Sequence, residues 1–190
     1  GISMFHLAAP QLVFGEASRL PVRPKWTMTL WSTRRGAVTT AEGYRIGDLA
    51  GPEATEHADM VIIPAWPEDL PALDAPLRQI LSRAHGRGAI VVGLCLGAVA
   101  VADSGLLSGR AAVTHWEAIP AVRDRHADVS WDDLVLYIDH GDVLTSAGTA
   151  SAIDACLHLV RTHLGASNAN RIARRLVVAP HRDGGQAQYV

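Results

Sequence analysis

Cys95 lies in Gly93-Leu94-Cys95-Leu96-Gly97, between the β-branched run Ile90-Val91-Val92 and the stretch Ala98-Val99-Ala100-Val101-Ala102. That order predicts a strand, a sharp turn and a helix, with the thiol held out as the serine is in a Gly-x-Ser-x-Gly nucleophile elbow. The flanking glycines permit the cramped backbone of such a turn. A thiol at a helix start faces unpaired N–H groups, which favour the thiolate. The competing reading is a small buried cysteine filling a strand end. A cysteine nucleophile needs a base within hydrogen-bond reach and donors for the developing oxyanion. His115, in Val113-Thr114-His115-Trp116, follows a strand candidate and is the base this pattern offers. A histidine merely hydrogen-bonded at a strand end is its alternative. The backbone N–H groups of Leu96 and of Ala65 or Trp66 are the candidate oxyanion donors, against a plain strand-closing turn at 65–66.

The remaining reactive residue types point elsewhere. Cys156 falls in a helical apolar stripe and reads as core. His158 and His163 do not have the i, i+4 spacing of a helical metal pair. Asp139, His140 and Asp142 read as a hairpin turn before they read as a metal site, and no spacing makes a zinc signature. No dinucleotide or phosphate-loop glycine pattern is present. Neither a metal nor a cofactor is expected. Arg171, Arg174 and Arg175 read as a solvated helix face.

The elements that must position Cys95 follow from periodicity. Continuous apolar runs at 60–63 and 90–94 predict strands covered on both faces, as in a parallel sheet. Leu77, Ile80, Leu81 and Ala84 fall at i, i+3, i+4 and i+7 and predict a helix over 76–85, stopped by Gly86 and Gly88. Alternating strand and helix then predict a doubly wound α/β domain, whose sites lie at the C-terminal ends of its strands. Further expectations are a helix over 7–14 with Pro10 in its first turn, strands at 28–32 and 111–115, and a small hairpin over 38–46. Residues 117–125 read as helical with Pro120 near the start, and 135–146 as a hairpin. A helix runs to Leu164, capped by Thr149 or Ser151, and a second covers 168–176. The polar, Gly-rich end from Pro180 reads as a linker.

The 190 residues suffice for one large domain with a full core, 48% of them hydrophobic. A net charge of −2 carries no electrostatic footprint for nucleic acid or membrane. Two cysteines make no disulfide framework. No signal peptide or membrane-length apolar run is visible, and a cytoplasmic, reducing location is the default expectation.

Taken in order, Gly93-Leu94-Cys95-Leu96-Gly97-Ala98, Gly105-Leu106-Leu107-Ser108-Gly109-Arg110-Ala111 and Thr114-His115-Trp116 resemble the class I glutamine amidotransferase-like (ThiJ/PfpI) superfamily. More narrowly, Leu144-Thr145-Ser146-Ala147-Gly148-Thr149-Ala150 with Ile153-Asp154, Ala173-Arg174-Arg175-Leu176-Val177-Val178 and His181-Arg182-Asp183-Gly184-Gly185-Gln186-Ala187-Gln188 resemble its AraC-type transcriptional regulator branch. The resemblance implies a flavodoxin-like, mostly parallel sheet with helices on both faces. It implies a sensor domain over 1–179 and a linker beginning at 180–190, leading to a C-terminal helix-turn-helix module outside this chain. A first central strand would precede Gly1. A homodimer is implied, with DNA contacted only through the missing module. The resemblance also places His6 where active relatives carry an acid, and Ala65 where their oxyanion turn has glycine. The expected function is therefore a ligand-sensing and dimerising domain rather than an enzyme, with Cys95 and His115 as a vestigial catalytic pair. A small metabolite, an amine or amino-acid derivative, would bind among His6, Ala65, Trp66, Cys95, Leu96, His115 and Trp116. The alternative is a cysteine hydrolase or hydratase acting on a small amide or isonitrile. A third reading is a peroxide or electrophile sensor through Cys95.

Overall fold

The computed structural model describes residues 1–182 and 184–186. The chain opens with helix α1 (Met4–Ser18), whose first turn is capped by Ser3: its Oγ accepts the His6 N–H. The helix thus begins three residues before the expected Leu7, and Pro10 lies in its interior rather than its first turn. A serine cap needs no apolar periodicity, so the stripe alone located the start too late.

Strands β1 (Val38–Thr39) and β2 (Arg45–Ile46) form the expected small hairpin. The strand expected over 28–32 is reduced to a single parallel bridge between Trp31 and Ala50. Then come β3 (Met60–Ile63), α2 (Ala75–Gly86), β4 (Ile90–Gly93) and α3 (Gly97–Asp103). Asp74 caps α2 by accepting the Leu77 N–H at 2.8 Å. Strand β5 (Ala111–Ala112) is followed by a 3₁₀ turn at Trp116–Ala118 and α4 (Ile119–Arg125), with Pro120 tolerated in the first turn of α4. Strand β6 (Ser130–Trp131), which no sequence pattern announced, pairs parallel to β5. Strands β7 (Tyr137–Asp139) and β8 (Val143–Ser146) form the expected second hairpin. Helices α5 (Ser151–Leu164) and α6 (Ala166–Leu176) close the order.

The central sheet has the order β3-β4-β8-β7, parallel except for β7. Its period-two alternation explains why its strands read as continuously apolar. Val61, Ile63, Val91 and Val143 pack into one core with Leu81 of α2, Val99 of α3 and Val122 of α4. Met60, Ile62, Val92 and Leu144 pack against the other, with Val13 of α1, Leu157 of α5 and Ile172 of α6. Helices therefore cover both faces, as the doubly wound expectation requires. Cys156 is fully buried in the second core, in the structural role its stripe predicted. No helix among the described residues is long and apolar enough to cross a membrane.

Candidate functional site

Cys95 occupies the step from β4 into α3, with φ +52°. This left-handed conformation is costly for a residue with a Cβ and persists only where neighbours hold it. Those neighbours are visible. The Cys95 N–H donates to Ser146 Oγ at 3.3 Å, just beyond the β8 ladder. Its carbonyl accepts from Thr114 Oγ1 at 2.9 Å. Leu94 N–H donates to the Ile63 carbonyl at 2.9 Å, tying the turn to β3. Gly97 packs so closely on the Ile63 carbonyl that a Cβ there would fall on the oxygen, and a Cβ at Gly93 would sit 2.7 Å from Ala98 Cα. The two glycines flanking Cys95 are thus required by close approach of backbone to backbone.

Burial dominates the surroundings of the thiol. Cys95 is 3% exposed, and burial pushes its thiol above the ordinary value. Hydrogen bonds from the Leu96 N–H and from the backbone and side chain of Thr149 pull the other way without reversing the shift. The expectation that the helix start would favour thiolate is corrected here: desolvation outweighs the few donors that reach the sulfur. Among the described residues no hydrogen bond joins Cys95 to His115.

His115 lies beyond β5, as expected, but turns to its own local structure. Its Nδ1 accepts the Glu117 N–H at 3.3 Å, capping the 3₁₀ turn, and lies 3.8 Å from the Glu117 carboxylate. Its ring rests against Gly148, where a Cβ would collide with the imidazole, and stacks on Trp116 with centroids 5.9 Å apart. In the neutral ring, an accepting Nδ1 leaves the proton on Nε2, the edge against Gly148.

His6 lies within electrostatic reach of His115. Ser3 Oγ is 2.6 Å from His6 Nδ1, and His6 Nε2 is buried with no hydrogen-bond partner among the described residues. Burial first, and His115 second, lower its pKa, while Glu42 and Glu68 partly offset them. Burial thus favours the neutral imidazole at His6. Ala65 and Trp66 are half-buried after β3, and the Trp66 indole donates to the Pro71 carbonyl at 2.8 Å.

Three residues at this site escaped sequence reasoning: Thr114, Ser146 and Thr149. Each is a hydroxyl from a different segment, and hydroxyls carry no spacing signal. Asp139 and Asp142 are occupied elsewhere, by His158 at 2.7 Å and by His85 and Arg110 at 2.8 and 2.7 Å. No three His, Cys, Asp or Glu residues are grouped as metal ligands among the described residues.

The profile of the DJ-1/PfpI family matches residues 15–162. The HTH-type transcriptional regulator CdhR of Pseudomonas aeruginosa is 30% identical over 151 residues, covering 78% of this chain and 45% of that protein. The HTH-type transcriptional regulator GlxA of Rhizobium meliloti is 25% identical over 159 residues, covering 83% and 48%. The chain thus spans about half the length of these curated relatives. An AraC family transcriptional regulator from Pseudomonas putida superposes with TM-score 0.80 at 20% identity, covering 92% of this chain and 94% of that one. Drosophila melanogaster DJ-1beta does so with TM-score 0.80 at 17% identity, covering 94% of each.

Proposed function

Because this chain belongs to the DJ-1/PfpI family, and its curated relatives include transcriptional regulators, we propose that it is the ligand-sensing domain of an AraC-type transcriptional regulator. On this reading residues 1–179 form the sensor and 180–190 begin a linker to a DNA-binding module. A small metabolite binds beside Cys95 and His115, in contact with His6, Ala65, Trp66, Leu96 and Trp116. Binding shifts the geometry of a homodimer, and with it the spacing of the DNA-reading helices. A cytoplasmic location goes with that task.

The observation that carries the reading is the state of Cys95. It keeps a constrained left-handed turn, yet it is buried, its thiol is pushed above the ordinary value, and among the described residues no hydrogen bond joins it to His115. The neutral His6, with Glu42 and Glu68 in electrostatic reach, suits a ligand carrying an ammonium group. A thermal-shift screen of amines and amino-acid derivatives tests this, with wild type beside Cys95→Ala. A ligand that raises Tm in both proteins supports non-covalent sensing. No shift with any ligand in either protein overturns it.

The φ of +52° and the donors from Leu96 and Thr149 around the sulfur favour one second reading, a cysteine hydrolase or hydratase acting on a small amide or isonitrile. It requires turnover that disappears in Cys95→Ala. Stoichiometric oxidation of Cys95 by peroxide, with no turnover, would mark a redox sensor instead.

A further inference from the structure

The segment leaving the domain after α6 lies against the same groups that hold the Cys95 turn. Arg182 pairs with Asp154 of α5 at 2.5 Å, and Arg161 donates to the Pro180 carbonyl at 2.5 Å. Further on, the Gln186 N–H donates to the Leu134 carbonyl at 2.9 Å. Gln186 is only 3% exposed, and its Nε2 donates to the Thr114 carbonyl at 3.2 Å. Thr114 is the residue whose hydroxyl holds the Cys95 carbonyl. Gly185 fits because it lacks a side chain: a Cβ there would fall on the Leu134 carbonyl oxygen. Thr149, which reaches the thiol, stands at the entrance to α5, the helix that carries Asp154.

We propose that residues 180–182 and 184–186 belong to a docked strap whose seating on Thr114 and Asp154 is coupled to the state of the Cys95 turn. The proposal rests on the sensor reading and names the element that would transmit the signal. The two ends of the strap are unlike. The Arg182–Asp154 pair is partly exposed, whereas Gln186 is an amide in the interior. Its Oε1 is buried with no partner among the described residues, so its seat is less firmly held than a fully satisfied amide would be. That is the property of a contact to be released. A ligand that moves Thr114 shifts the acceptor of Gln186, and by reciprocity an unseated Gln186 loosens the turn around Cys95.

The test uses the 190-residue chain without any effector. Hydrogen exchange of the C-terminal peptide reads the strap, and the rate of Cys95 labelling by iodoacetamide at alkaline pH reads the turn. Gly185→Ala is expected to raise exchange in the strap about tenfold and to speed Cys95 labelling about fivefold. Gln186→Ala, which removes the amide without adding a Cβ clash, serves if Gly185→Ala fails to fold, and the same changes are expected. Faster strap exchange with wild-type labelling in the folded variants overturns the coupling. Unchanged exchange in both variants overturns the seating. Neither readout needs a ligand, so an empty metabolite screen would overturn the sensor reading and leave this result standing. Loss of the coupling would leave sensing intact.

Discussion

At the N-terminal edge of the central sheet, Asp142 accepts a hydrogen bond from Arg110 and lies against His85 at the end of α2. At the C-terminal edge of the same strands, Cys95 is surrounded by the hydroxyls of Ser146, Thr114 and Thr149. Asp142 is partly exposed, and the Arg110 hydrogen bond first holds its carboxyl well below the ordinary carboxylate range. Cys95 is 3% exposed, and burial pushes its thiol up. One edge fixes charge where solvent still helps. The other keeps an ionisable group neutral inside a close-packed, uncharged turn. Polar groups hold charge at the first edge and hold backbone at the second.

The sharpest way to break this contrast is to add a methyl group at each edge. Gly97→Ala sets a Cβ on the Ile63 carbonyl, with backbone on both sides and no room to yield. A loss of about 3 kcal/mol is expected. Gly141, in the turn before β8, has φ +85° but open space around it. Gly141→Ala should cost about 1 kcal/mol, through backbone strain alone. Urea midpoints of the two variants decide it. Equal costs would show that the Cys95 edge is not the tighter one.

Acid titration probes the charged edge next. A depressed carboxylate contributes stability that is present above its unfolded pKa of about 4 and is lost as pH falls toward its lower folded value. Asp142→Asn should cost about 1 kcal/mol at pH 7, because the group is 40% exposed and solvent screens its pairs. It should also flatten the decline in stability below pH 4. A variant with an acid limb as steep as wild type would remove Asp142 from that account.

How much of this was legible beforehand depends on where each signal is stored. The strands at 60–63 and 90–93 were readable because both faces are covered and every position is apolar. The Cys95 turn was readable because Gly93 and Gly97 are its neighbours in sequence. Strand β6 was not, since two residues between Asp128 and Asp132 hold no period. The protonated thiol was also beyond reach. A sequence shows that a helix follows Cys95, but not that the fold leaves the residue only 3% exposed. The hydroxyls that hold the turn arrive from 19 and 51 residues away, through tertiary contact alone.

Alkaline pH gives a smaller effect of opposite sign. A thiol whose folded pKa is raised contributes stability that is complete below its unfolded pKa, near 8.5, and falls as pH climbs toward the folded value. Cys95 and the fully buried Cys156 both act in this direction. Cys95→Ala should therefore make the fall in Tm between pH 8 and 10 shallower without abolishing it. An unchanged slope would mean that the Cys95 thiol ionises in place, and the uncharged description of this edge would fail.

The smallest expected change in stability, and the most local, is at Gly148. Its missing side chain is what lets the edge of the His115 ring approach the β8–α5 connection. Gly148→Ala should turn the ring outward, since His115 is already 26% exposed and solvent can take its place. The cost should be within about 0.5 kcal/mol, as for a surface substitution. The Cys95 backbone is held by Ser146 and Thr114, not by His115, so the turn should survive. The imidazole proton resonances of His115 should shift as the ring leaves Trp116, while iodoacetamide labelling of Cys95 keeps its wild-type rate. If labelling instead accelerates with the ring displaced, His115 shields the thiol directly, and the C-terminal edge is held by the imidazole as much as by its hydroxyls.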